Sequence, residues 1–394
     1  MSTEAFGALV DECHVLVCCG TGGVGKTTTA AALALEGARR GRRVAVITID
    51  PARRLADTLG LTSTEDHEVA RALWDPDGLA PPGGRLTAMM LDTSETFDGL
   101  VARYAESAEQ RDRILENRFY RNLAGAMSGT QEYMAMERLH ELHETGAYDL
   151  IVVDTPPSRH ALDFLDAPQR LIRLLDNRVF RVMMMPARGA FRLASAALHT
   201  FVRQVGRVVG TGVIDDIIAF FRAFEGMEEG FRARADAVST LLAEDSTGFV
   251  LVTSPRRDSI DEASYFAEQI ATHGLSISGL VTNRVHPEFA AADDVDRLRA
   301  RATHLRHSED TGEAEGPDAS AARRRLADRY GTLADLAMLA ARERTVLGDA
   351  AERMGTPAVV FVPFLAHDVH DVPTLHEVGR YLVGPEGARP VSPA

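Results

Sequence analysis

The sequence predicts an α/β fold, a doubly wound and mostly parallel sheet with helical insertions that form a second, smaller helical subdomain. Three observations carry this expectation. Short apolar runs rich in β-branched residues recur along the chain without the polar alternation of a half-exposed strand, as expected of strands covered on both faces. Helical patterns separate those runs, which is the order that parallel crossovers require. Two long stretches, 93–146 and 168–246, are helical in pattern and contain no convincing strand. At 394 residues the chain exceeds the usual size of a simple core. It is read as one domain over 1–394, with the two stretches inserted into it.

The first strand is expected at His14–Cys19, and the segment TTAAALALEGARR that follows is built of good helix formers. That helix ends on Arg39, Arg40, Arg42 and Arg43, where cations meet the negative end of the macrodipole. Further strands are expected at Val44–Ile49, Leu86–Leu91, Leu150–Val153, Phe249–Val252, Ile277–Val281 and Ala358–Val362. Asp75 to Gly84 reads as a turn-rich connector, 307–320 as a flexible acidic loop, and the tail after Gly384 as frayed. In the second insertion Leu198, Phe201, Val202, Val205, Val208 and Val209 recur at helical spacing, as do Val213, Ile214, Ile217, Ile218 and Phe221. Methionines mark both insertions: Met127, Met134 and Met136 in the first, Met183, Met184 and Met185 in the second. Methionine suits an adaptable client groove and also fills ordinary cores, so both readings stay open.

Composition narrows the function. The formal net charge of −14 repels phosphate backbones and anionic lipid, so no nucleic-acid partner is expected. The three cysteines, Cys13, Cys18 and Cys19, crowd into one apolar segment, which suits buried structural thiols and neither a disulfide framework nor a spaced metal quartet; no zinc is expected. Met1 to Asp11 shows no basic region followed by an apolar stretch, and no charge-free run approaches the ~18 residues that span a bilayer. A cytoplasmic location is expected.

Directly after the first strand stands Gly20-Thr21-Gly22-Gly23-Val24-Gly25-Lys26-Thr27, the complete G-x-x-x-x-G-K-[ST] pattern in strand, loop and helix context. Glycines let backbone N–H groups curl around an anion, and the helix N-terminus adds partial positive charge. Lys26 is positioned to neutralise the β- and γ-phosphates of ATP, and Thr27 to offer its hydroxyl to Mg²⁺. Such a site also needs carboxylates at neighbouring strand ends. Asp50 ends VAVITID and Asp154 ends LIVVD. Either alone could cap a helix; beside this loop the catalytic reading dominates.

Together these elements resemble the arsenite-pump ATPase family, which also contains the ATPases that target tail-anchored membrane proteins. GTGGVGKTTT resembles its deviant phosphate loop, TIDPARRLADTLG its first switch, DTPPSRHALDFL its second, and VTNRV its base-contacting strand end. The resemblance implies nucleotide contacts from Gly20 through Thr28, with Lys26 on the phosphates. It implies Asp50 as the residue orienting the hydrolytic water, Asp154 near Mg²⁺ together with Thr27 and Asp50, Thr155 and His160 in the second switch, and Asn283 reading adenine. Val362 and Pro363 fall where the family's late loop covers the base.

It further implies a dimer that couples ATP state to opening and closing of the helical subdomain. Two departures stand out. Thr21 occupies the position of a signature lysine that reaches across the family's dimer, so Arg159 or Arg53 is expected to supply the charge, or else a paralogous partner retains the lysine. The cysteine pairs that hold zinc or arsenite in relatives are missing. The first expectation is an ATPase handling hydrophobic membrane-protein segments. The alternatives are an energising subunit docked on an ion-exporting membrane channel, and a regulatory subunit of a heterodimer. A partitioning ATPase fits least, since the tail EGARPVSPA is neither basic nor amphipathic.

Overall fold

The computed structural model describes residues 2–49, 54–59, 67–91, 93–118, 120–121, 130–156, 223–291, 294–307, 317–355 and 358–384, with short pieces between 165 and 220. Its strands are β1 (Val15–Gly20), β2 (Arg43–Thr48), β3 (His67–Glu68), β4 (Arg85–Met90), β5 (Leu150–Asp154), β6 (Thr247–Thr253), β7 (Ile277–Val285) and β8 (Val359–Pro363). They form one sheet in the order β3-β4-β2-β5-β1-β6-β7-β8. Every pairing is parallel except β3 with β4.

The seven apolar runs of the sequence are the seven parallel strands. The eighth, β3, was not anticipated. Its two residues are polar and become a strand only by pairing with Ala88 and Thr87, so no local pattern announces them. An antiparallel stub of this kind also blunts the sheet edge.

Strand side chains alternate between two cores, as the period of two demands. Leu16, Cys18, Val44, Val46, Val152, Val250 and Val252 face one side, where the helix Lys26–Arg39, the N-terminal helix Ser2–Glu12 and the C-terminal helix Val372–Val383 cover them. Val15, Val17, Cys19, Ile47, Ile151, Val153 and Leu251 face the other. That side is covered by Thr93–Tyr104, Thr130–Thr145, Glu228–Ala243 and Arg257–Thr272. The N-terminal helix, which the sequence reading left unassigned, buries Phe6 and Val10 one helical turn apart.

Within 93–146 three helices are described, the two above and Ala108–Leu115. Met134 and Met136 are fully buried in the core, so at these positions the packing role prevails over an exposed groove. Gln110 ties the two inserted stretches together, donating to the carbonyls of Ala223 at 2.8 Å and Glu225 at 3.0 Å. Met127, Met183 to Met185 and the apolar series from Leu198 to Phe221 lie outside the described residues.

The expected acidic loop is shorter at its described ends. His307 closes the helix Val295–His307, and Pro317 opens the helix Pro317–Arg353, where proline's fixed φ suits a first turn. Residues 308–316 and the tail from 385 lie outside the described residues. The two helices pack on each other as a hairpin between β7 and β8. Among the described residues no helix is long and apolar enough to cross a membrane.

Candidate nucleotide site

The phosphate loop joins β1 to the helix Lys26–Arg39, and both pattern glycines are forced by their neighbours. Gly20 has φ 149°, and a Cβ there would meet the Val252 carbonyl oxygen at 2.1 Å. Gly25, the N-cap, has φ 96°, and a Cβ would meet the Asn283 side-chain nitrogen at 2.2 Å. No side chain caps this helix. Its leading N–H groups therefore have no side-chain acceptor of their own, which suits an incoming phosphate. Lys26 is only 7% exposed, and its ammonium donates to the Thr21 carbonyl at 2.8 Å.

On one flank stands the carboxylate. Asp154 closes β5, between β1 and β2, and is 1% exposed. Thr27 donates to its Oδ2 at 2.7 Å, and Thr48, the last residue of β2, donates to the same oxygen at 3.0 Å. Two hydroxyls and one carboxylate at the carboxyl edge of a parallel sheet make a hard oxygen donor set, the kind that suits Mg²⁺ with its waters. Thr155 donates to the Cys18 carbonyl at 2.8 Å and so holds the start of the second switch against β1. Ile49 donates its N–H to the Asp154 carbonyl at 3.2 Å, so β2 leaves the sheet beside Asp154. Asp50, Arg53, Arg159 and His160 lie outside the described residues.

On the other flank a cavity of about 530 Å³ runs from the loop across the ends of β6, β7 and β8. Three strand steps of ~4.8 Å give it a span of ~14 Å, from the phosphate loop at β1 to a far end at β7 and β8. Asn283 stands between them. Its amide donates to the Val24 carbonyl at 2.8 Å, and its Oδ1 accepts from the Arg284 N–H at 2.9 Å. An amide carries two donors, and the bond to Val24 uses one of them. Arg284 takes the left-handed φ of 61° at the register shift against β8, which turns Asn283 toward the loop.

At the far end Val362 is buried in the core and Pro363 closes β8. The next residue, Phe364, is the one that lines the cavity, 60% exposed, with its ring 6.3 Å from that of His286. His286 is fixed by Glu343 of the long helix, through its ring Nδ1 at 2.8 Å and its N–H at 2.9 Å.

The cysteines are buried, and burial pushes the Cys19 thiol up to about 12 and Cys18 well above its ordinary value. They stay protonated near neutral pH and are poor ligands for soft metals or metalloids. Sequence reading missed Thr48, His286, Glu343 and Phe364. Thr48 reads as an ordinary β-former, and the other three come from β7, the inserted hairpin and the end of β8, a meeting that only the topology makes.

Comparison with known proteins agrees with this geometry. The family model described as "Anion-transporting ATPase" matches residues 13–309. A Streptomyces coelicolor protein described as uncharacterized is 31% identical over 285 residues, covering 71% of this chain and 64% of that protein. The chain is also similar to the ATPase GET3 of Malassezia globosa, 27% identical over 272 residues, with 68% of this chain and 72% of that protein covered. The corresponding Neurospora crassa ATPase is 26% identical over 267 residues, with 68% and 71% covered. The alignment thus spans a little under two thirds of the Streptomyces protein and somewhat more of the fungal ATPases. With a family match over most of its length, and a phosphate loop that stands between the buried Asp154 on one flank and a cavity on the other, the chain belongs to the anion-transporting ATPase family.

Proposed function

We propose that this chain binds Mg-ATP between the carboxylate flank and the Phe364 end of the cavity, hydrolyses it as a cytoplasmic dimer, and uses the cycle to handle hydrophobic membrane-protein segments. The observation that carries the ATPase reading is the convergence of Thr27 and Thr48 on Asp154, directly beside an uncapped phosphate-loop helix. Mg²⁺, when bound there, supplies charge neutralisation at the phosphoryl oxygens.

The protein's own groups do the rest. Lys26 exchanges the Thr21 carbonyl for the β- and γ-phosphates, Thr27 and Asp154 fix the metal side, and Asp50 orients the attacking water. Asn283 and Phe364 hold the adenine. Thr155 and His160 pass the phosphate state along the second switch, whose Thr155 is already anchored to β1.

The handling of hydrophobic segments is supported by the GET3 names of the fungal relatives and by the helical layer on one face of the sheet. The arsenite-export alternative draws no support from the buried, protonated cysteines.

The test is ATP turnover and oligomeric state of the purified chain, with and without a peptide bearing one transmembrane helix. Stimulated turnover or stable capture is expected, and indifference to the peptide refutes the client reading. Lys26→Ala is expected to lose ATP binding, whereas Asp50→Asn keeps binding and loses turnover by at least ~100-fold. Tight ATP binding by the Lys26 variant would overturn the assignment of the site.

A further inference from the structure

We infer that a second cavity, enclosed between the sheet and the inserted helices, binds a small organic oxyanion through the guanidinium groups of Arg103, Arg138 and Arg234. The ligand class is a short-chain carboxylate or phosphate monoester, recognised in either case by its oxygen acceptors.

The placement comes from three helices and two strand ends. Arg103 stands in the last turn of Thr93–Tyr104, Arg138 in the middle of Thr130–Thr145, and Arg234 in Glu228–Ala243. All three line one cavity of about 260 Å³, whose apolar part is Ile47 of β2, Leu91 after β4 and Leu100. The nucleotide cavity lies elsewhere, across the ends of β6, β7 and β8, and among the described residues the two share no lining side chain.

Arg234 is the strongest sign of a missing acceptor. It is 6% exposed, so its guanidinium has left bulk water. Its Nε donates to Glu137 at 2.8 Å and its Nη1 to Glu144, but among the described residues no group accepts from its Nη2. An unmade hydrogen bond on a buried cation is costly, and an acceptor placed in the cavity removes that cost.

The carboxylates around the cavity do not reverse its chemistry. Both oxygens of Glu137 are engaged from within the protein, one by the Tyr133 hydroxyl and the other by Arg234. Glu141 is tied to Arg138 at 3.0 Å and is 42% exposed. Arg103 and Arg234 meet at a single oxygen of Glu144, the former at a loose 3.5 Å, so two cations share one anionic atom. What the protein presents to a ligand is therefore donors, and guanidinium donors pair with carboxylate or phosphate oxygens in a fork geometry.

Size and lining narrow the ligand further. The volume has room for roughly nine waters at ~30 Å³ each, and so for a molecule of about that many non-hydrogen atoms. Ile47, Leu91 and Leu100 favour a short carbon skeleton over a fully hydrated inorganic ion. Succinate and glycerol 3-phosphate have this combination of size, carbon chain and oxyanion.

The experiment is calorimetric titration of the full chain with each of these two probes. One of them is expected to bind with a Kd below ~1 mM, and which one does so separates carboxylate from phosphate ester. Arg103→Ala, at a half-exposed position, is expected to weaken that binding by at least ~10-fold with the thermal midpoint kept. Gly99 also lines the cavity, and a Cβ there would meet nothing within 4 Å, so Gly99→Leu fills open space and improves helix propensity. It should weaken the same probe by at least ~10-fold without touching a charge. Saturating Mg-ADP should leave the probe's affinity within about 3-fold. Failure of both probes to bind overturns the inference, as does binding that survives both substitutions. Displacement by ADP also overturns it, because the probe then sits in the phosphate loop.

Discussion

The two faces of the sheet are built on different physical principles. The face under the phosphate-loop helix is closed mainly by alanine and leucine: Ala30, Ala31, Ala32, Leu33, Ala34 and Leu35 are all fully buried, and the buried Glu36 lies near the C-terminal end of that helix, 2.9 Å from His376. The opposite face, under the inserted helices, buries charge. Glu137 is 1% exposed and Arg234 6%, and they pair at 2.8 Å, with Tyr133 donating to the same carboxyl and Glu144 accepting from Arg234. Burial pushes the Glu137 carboxyl above the usual range, opposed by the hydrogen bonds from Tyr133 and Arg234.

A cavity of about 260 Å³ separates this network from Ile47, Met90 and Leu91 at the carboxyl ends of β2 and β4. Apolar packing of the first kind is dense and resists rearrangement, whereas polar networks beside a void have alternative partners within reach. The comparison assigns rigidity to the phosphate-loop side and adjustability to the side proposed to move.

Removing one partner of the buried pair is the largest single blow to that contrast. Arg234→Ala leaves Glu137 uncompensated and is expected to cost about 3–5 kcal/mol, read by urea unfolding. If the cost is below ~1 kcal/mol, the network is solvated and the contrast between faces fails. On the other face, Leu33→Ala is expected to cost about 2–5 kcal/mol by cavity formation. It should also weaken ATP binding, because the helix it seats carries the loop; lost stability with unchanged ATP affinity would show that this face is less rigid than its packing implies.

The smallest effect concerns the contact of Asp166 with His273, which follows the helix Arg257–Thr272. His273 lies within hydrogen-bonding distance of the Gln269 carbonyl, at 3.0 Å, and of Asp166, at 2.9 Å. Both raise its pKa above the ordinary 6.5, the carbonyl more. A raised histidine stabilises the fold fully below its unfolded pKa and loses that contribution as pH rises through the folded value. The native chain should therefore lose more thermal stability than His273→Ala between pH ~6 and ~9. Identical slopes would show that the His273 contact contributes nothing to stability.

Much of this architecture was legible because local and global signals agree. Each parallel strand is a continuous apolar run, and the loop motif names its own strand, turn and helix. Asp154 was legible as a carboxylate ending such a run. Thr48, its hydroxyl partner, was not, because a threonine at a strand end has many other reasons to be there. β3 and the contact of Phe364 with His286 arise only from tertiary pairing. Cross-chain charge was expected from Arg159 or Arg53, which lie outside the described residues.

The wedge of Asn283 against Gly25 has a consequence for how such a sequence can change over evolutionary time. The space a side chain at position 25 would need is occupied by the Asn283 amide, and the φ of 96° excludes most other residues in any case. Position 283 has more freedom, since a smaller residue there leaves the loop intact and surrenders only the bridge to Val24. Substitution is therefore asymmetric: position 283 can vary while position 25 stays glycine. A lineage can remodel the strand end beside the loop without rebuilding the loop itself.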